Sequence, residues 1–170
     1  MRKKVVTGMT VTLLILSMFT FVFSVRQVGA SGTIYIRADG TIEGTDKIQR
    51  DGDIYFLTDN IGDEIVVERS SIVVDGRGYT VEGGGEGTGI YLRSYADNVT
   101  IRNLQIQNSY YGIDVASSSN IIQNNIIAYC SVGIFMAEVA DTEITENRIA
   151  YNDYGIDTNT VFNITVSGNN

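Results

Sequence analysis

The stretch from Asn98 to Asn170 repeats itself, and that repeat limits the chain to very few folds. Ile101, Leu104, Ile106, Ser109, Gly112 and Ile113 form one unit. Ile122, Asn125, Ile127, Cys130, Gly133 and Ile134 follow in the same order, then Ile144, Asn147, Ile149, Asn152, Gly155 and Ile156. A fourth unit opens with Val166 and Asn169, and the steps are 21, 22 and 22 residues. A fixed period of this length is the signature of a repeat architecture.

Within a unit the apolar residues come in short alternating pairs: Val99 and Ile101, Leu104 and Ile106, Ile113 and Val115. Alternation is a strand signal, and no window sustains the i, i+3, i+4, i+7 spacing of a helix. Polar or small residues follow each pair, as at Arg102-Asn103 and Asn108-Ser109, and mark turns. Three short strands per repeat predict one coil of an all-β, right-handed parallel β-helix, each strand stacked about 4.8 Å from its equivalent in the next coil. Leucine-rich repeats have a similar length, but their leucine pattern is absent.

Stacking turns each repeated position into a column. Asn125, Asn147 and Asn169 are predicted at an inward turn, each amide bonding to backbone or to the next Asn. Gly112, Gly133 and Gly155 share a bend, where glycine is expected for conformations other residues avoid. Ser109, Cys130 and Asn152 make a small, polar corner column.

The pattern N-x-I-x-x-N-x-I-x-x-N-x-x-G-I is nearly literal from Thr142 through Ile149 to Gly155-Ile156. It resembles the repeat of the right-handed parallel β-helix superfamily with the pectate-lyase-like fold, and in particular its NosD-type branch of secreted proteins. A looser coil with Ile72, Val74, Val81, Ile90 and Leu92 extends the resemblance back to about Ser71. The resemblance implies the fold. Lyases, hydrolases, binding proteins and adhesins share such repeats, so it does not by itself imply an activity. The NosD-type branch brings an association with periplasmic copper-site maturation.

Residues 1–30 read as an export signal. Arg2, Lys3 and Lys4 precede an uncharged run from Val5 to Val25, and Val28-Gly29-Ala30 offers a small-residue cleavage pattern. The run could also span a bilayer as an uncleaved anchor, the one route by which a membrane would be a partner. Thr7, Gly8, Thr10, Thr12, Ser17 and Thr20 dilute its hydrophobicity and favour cleavage. Either way the remainder is expected outside the cytoplasm, secreted or at the cell surface. Removing the segment takes away Arg2, Lys3, Lys4 and Arg26, leaving 8 basic against 20 acidic residues and a net charge of −12. That balance argues against nucleic acid, anionic lipid and polyanionic sugars as partners.

Residues 31–70 are predicted as an N-terminal cap with strands over Thr33–Arg37, Asp53–Thr58 and Glu64–Glu68, because an uncapped solenoid end exposes strand edges. Residues 71–170 are the β-helix repeats, with Gly83–Gly87 lengthening the first coil. The sequence stops inside a coil at Asn169-Asn170, so the reading expects a longer open reading frame.

Cys130 has no partner in the chain and reads as a small corner filler. Asn98-Val99-Thr100 and Asn163-Ile164-Thr165 satisfy the glycosylation sequon, which matters only in a host with the machinery. There is no histidine, and Met136 is the one methionine beyond the leader, so no cofactor or metal is assigned. Calcium needs only oxygens, and Asp51-Gly52-Asp53 and Asp97-Asn98 are its candidate pairs.

Two site hypotheses remain. Asp114 and Asp157 fall in matching positions two coils apart with Phe135 between, which puts their backbones roughly 9.6 Å apart and permits an inverting acid–base pair. The plainer alternative leaves both facing solvent beside an inward Ile. Tyr129 and Tyr151 share one coil position, and Tyr111 and Tyr154 share another with Val132 between. Such tyrosines could give a flat amphipathic face for sugar rings, or an aromatic ladder that only stabilises the solenoid edge. The reading favoured is a non-catalytic exported module, structural or carbohydrate-binding, whose partners are polysaccharide or cell-surface components. A carbohydrate-active enzyme is the alternative and an accessory protein of the NosD type the third.

Overall fold

The computed structural model describes residues 32–170, so the proposed export segment lies outside the described residues. The described residues open with four strands that form the cap: β1 (Ile34–Ile36), β2 (Ile42–Glu43), β3 (Ile48–Asp51) and β4 (Ile54–Leu57). Coils follow, three strands to each. They are β5 (Ile65–Val67), β6 (Val73–Asp75) and β7 (Thr80–Glu82), then β8 (Thr88–Leu92), β9 (Thr100–Arg102) and β10 (Gln105–Gln107). Next come β11 (Tyr111–Val115), β12 (Ile121–Gln123) and β13 (Ile126–Ala128), then β14 (Val132–Ala137), β15 (Glu143–Thr145) and β16 (Arg148–Ala150). The last coil holds β17 (Tyr154–Asn159) and β18 (Thr165–Ser167).

Equivalent strands stack into three sheets. The first runs β17-β14-β11-β8-β5-β1-β2, the second β18-β15-β12-β9-β6-β4-β3, and the third β16-β13-β10-β7. Every coil-to-coil pairing is parallel and in register, as at Ile113↔Ile134↔Ile156 in the first sheet. This is a parallel β-solenoid, and its inward columns of Ile, Val and Leu form one continuous core.

The cap differs from the sequence expectation. Two antiparallel pairings, β1 with β2 and β3 with β4, close the sheets at that end, and neither β2 nor β3 was expected. β2 is two residues long and β3 reads Ile-Gln-Arg-Asp with three exposed positions, so neither carries an apolar alternation. Tyr55 is wholly buried there, and its hydroxyl donates to the Gly40 carbonyl at 3.0 Å.

The Asn ladder is continuous. Asn147 Oδ1 accepts from both N and Nδ2 of Asn125 at 3.0 Å, and Asn169 Oδ1 accepts from Asn147 N and Nδ2 at 2.9 and 3.0 Å. Each Nδ2 also donates to a strand carbonyl of an earlier coil: Asn125 to Ile101, Asn147 to Ile122 and Asn169 to Ile144. Backbone groups that the corners would leave unpaired in the core are thereby satisfied. The other two corners use the same device. Asn120 Oδ1 accepts from Val99 N at 2.9 Å, and Asn152 Oδ1 from Cys130 N at 2.9 Å.

The glycine column needs a corrected explanation. Gly112, Gly133 and Gly155 are absent from the positive-φ residues, so unusual backbone conformation is not why they are glycine. A Cβ on Gly112 would lie 2.5 Å from the Gly133 carbonyl oxygen and 2.8 Å from Ile127 Cγ2, and one on Gly133 would lie 2.5 Å from the Gly155 oxygen. Close stacking of the coils leaves no room for a side chain at Gly112 and Gly133, whereas a Cβ on Gly155 would meet only Ile149 Cγ2 at 3.6 Å. The left-handed conformation falls instead on corner residues that are not glycine, among them Asn98, Asn103, Asn108, Asn124, Tyr129 and Tyr151, with φ between 52° and 58°. Asparagine tolerates this region better than most residues.

Candidate functional site

Strand alternation sends Tyr91, Asp114, Phe135 and Asp157 outward from the first sheet as one register column. Thr88, Tyr111, Val132 and Tyr154 form a second column on the same sheet. The structure therefore places both predicted aspartates and two of the four predicted tyrosines on one face. Tyr111 stacks on Phe135 of the next coil with centroids 4.9 Å apart, and Tyr110 meets Tyr111 edge-on at 4.7 Å.

Tyr129 and Tyr151 lie elsewhere, at the corner between the third sheet and the first. Their rings stack on each other with centroids 5.3 Å apart and planes 6° from parallel, so each covers a face of the other. Below them is a depression of about 410 Å³ lined by Asn108, Ser109, Cys130, Ser131 and Asp153. Cys130 is buried, its thiol donates to the Ala128 carbonyl at 3.4 Å, and burial pushes that thiol's pKa up.

The electrostatics single out Asp114. Burial, reinforced by the Glu64 carboxylate, pushes its carboxyl up to about 6. Burial raises Glu64 as well, partly offset by attraction to Arg93. The Arg93 guanidinium carbon lies 5.0 Å from the centre of the Tyr91 ring, and among the described residues its buried Nε has no hydrogen-bond partner. Tyr111 is raised by burial and by the proximity of Tyr110, Asp114 and Asp157. Glu64 and Arg93 were not singled out in the sequence. Glu64 precedes the buried run Ile65–Val67 in a coil with no recognisable repeat, and Arg93 follows Leu92 at a strand end, so no spacing marks either.

The remaining candidates have structural partners or exposed positions. Asp53 pairs with Arg69 at 2.8 Å, and Asp97 Oδ1 accepts from Ser118 N at 2.8 Å, which engages both proposed calcium pairs. Arg102 pairs with Asp75 at 2.9 Å. Asn98 and Asn163 are exposed on one corner column, where their amides donate to Ser71 Oγ and Asp141 Oδ1.

Stacked coils of about 22 residues with inward ladders define a parallel β-helix repeat protein. The chain belongs to the NosD family: the model of that family, described as periplasmic copper-binding protein, matches residues 29–170. That description is of an extracytoplasmic protein. No curated protein and no solved structure matches the chain.

The residues present do not fit the copper of the family description. The sequence has no histidine. Cys130 and Met136 are both buried, Met136 pointing into the core. Among the described residues no three of His, Cys, Asp and Glu come together as a metal-binding group. Copper sites draw on imidazole, thiolate and thioether donors, and among the described residues the exposed faces offer none.

Proposed function

We propose that the protein is a carbohydrate-binding module of the cell exterior, holding glycan against the outer face of its first sheet. The observation that carries this reading is the Tyr111–Phe135 stack flanked by Asp114 and Asp157 in the same register. Aromatic rings bury the C–H faces of sugars, and carboxylates accept from sugar hydroxyls. The net charge of −12 for the exported part selects against acidic glycans. Tyr129 and Tyr151, with the depression below them, are a second place where a glycan could rest, and the partners remain polysaccharide or cell-surface components.

A specific observation also favours the enzymatic reading. A carboxyl held at about 6 beside a second carboxylate is suited to give a proton to a leaving glycosidic oxygen. The second carboxylate, Asp157 or Glu64, would take a proton from the attacking water, which completes hydrolysis.

One experiment separates the two. The purified protein is incubated with neutral and acidic polysaccharides, and both retention and newly formed chain ends are followed. Retention of neutral polysaccharide without new ends supports the module. New ends that disappear with Asp114→Asn make the protein an enzyme. Neither retention nor cleavage refutes both.

A further inference from the structure

One inward column of the first sheet is the same residue in every coil, but from β8 to β17 its outward columns alternate from one coil to the next. Inward, Ile65, Ile90, Ile113, Ile134 and Ile156 are identical. Outward, one column reads Tyr91, Asp114, Phe135, Asp157, and its neighbour reads Thr88, Tyr111, Val132, Tyr154. Each of the four coils therefore carries one aromatic ring, and the ring changes column at every step. Aspartate occupies the vacated place in alternate coils. Core packing does not impose this order, because none of these eight residues belongs to the buried core cluster. Among the described residues neither aspartate has an ion-pair partner.

We propose that this face binds a β-1,4-linked glycan free of acidic groups, lying along the solenoid axis with one sugar to each coil. The proposal rests on the carbohydrate-binding reading above and names its ligand class. Coils are separated by about 4.8 Å, and an extended β-1,4-linked chain advances by a similar distance per sugar. Each sugar in such a ribbon is turned over relative to the one before it, so the same edge returns at every second sugar. The rings of Tyr91, Tyr111, Phe135 and Tyr154 alternate sides with that period. Asp114 and Asp157 recur with it as hydroxyl acceptors. Neutral sugars satisfy the face, and amino sugars gain attraction to its carboxylates. An α-1,4-linked chain coils, and loses register after a sugar or two.

The test is calorimetric titration of the protein with cello-, chito-, glucosamine, malto- and galacturonate oligosaccharides of two to six units. The expected result is binding of the first three classes, tightening several-fold with each added sugar up to the four these rings can seat. Tyr91→Ala, checked for an unchanged melting curve, should move the plateau from four sugars to three. Malto-oligosaccharides binding as tightly as the ribbon classes would overturn the ribbon proposal and leave carbohydrate binding standing. An affinity that stops growing at two sugars would overturn it as well. Absence of binding to every class would overturn both.

Discussion

Tyr111 stacks on Phe135 across two neighbouring coils, with ring centroids 4.9 Å apart and planes 27° from parallel. The two residues are not register partners: Tyr111 is paired with Val132, and Phe135 with Asp114. The stack is thus diagonal, and it ties the two outward columns of the first sheet into one surface. Truncating Phe135 should separate binding from folding. Phe135→Ala removes the centre of the ring path but no core atom, so retention on neutral polysaccharide should fall about tenfold, from roughly 1.4 kcal/mol of lost stacking, with little change in melting temperature. Equal retention by variant and wild type would remove the aromatic path from the binding account.

The Asn ladder makes a prediction about stability. Asn147→Ala deletes the acceptor for Asn125 N and Nδ2 and the side-chain donor to the Ile122 carbonyl. Buried polar groups left unsatisfied cost about 1–3 kcal/mol each, so a loss of roughly 3 kcal/mol is expected in urea unfolding. Asn163→Ala, on an exposed corner, should cost a few tenths of a kcal/mol by comparison.

Sterics at the bend give a sharper contrast. Gly133→Ala places a methyl 2.5 Å from the Gly155 carbonyl oxygen and 2.9 Å from Asn152 Nδ2, so the coils must spread. Overpacking of this kind costs about 1–3 kcal/mol. Gly62→Ala, where an added Cβ meets nothing within 4 Å and φ is not positive, should be nearly silent. Similar unfolding midpoints for the two variants would contradict the steric account of the glycine column.

The raised carboxyl of Asp114 makes stability depend on pH with a definite sign. Its pKa moves from 3.8 unfolded to about 6 folded, so between those values the folded chain binds more protons than the unfolded one. Stability contributed by this group is full below about pH 4 and is lost as pH rises through about 6. Asp114→Asn removes the loss. The variant should be more stable than wild type above pH 6, by on the order of 1 kcal/mol once solvent screening is allowed for, and equal to it near pH 4. Thermal melts at both pH values check this, and a difference that does not change with pH would contradict it.

The sequence made the interior legible and left much of the exterior hidden. Ile, Asn and Gly return at fixed positions because every coil faces the same core, so the solenoid and its Asn125–Asn147–Asn169 ladder could be read from spacing alone. The outer face obeys no such constraint. Asp114, Asp157, Tyr111 and Tyr154 stand at matching positions of the repeat, but Glu64 and Arg93 come from coils where the repeat is loose or missing. Burial of Asp114 depends on neighbours brought in by register, and no local pattern records it. The hairpins of the cap leave no mark in the sequence because β2 and β3 are short and polar. For the glycine column spacing marks the position but not the reason, since only the stacked structure shows how near the next carbonyl lies.

The measurement that tests the account most directly is a protection map of the tyrosines. The protein is nitrated with and without saturating cellohexaose or chitohexaose, and modification is read peptide by peptide by mass spectrometry. The account predicts loss of nitration at Tyr91, Tyr111 and Tyr154, with Tyr95, Tyr129 and Tyr151 modified as before. Protection centred on Tyr129 and Tyr151, or protection of no tyrosine, would contradict the claim that the outer face of the first sheet is the ligand surface.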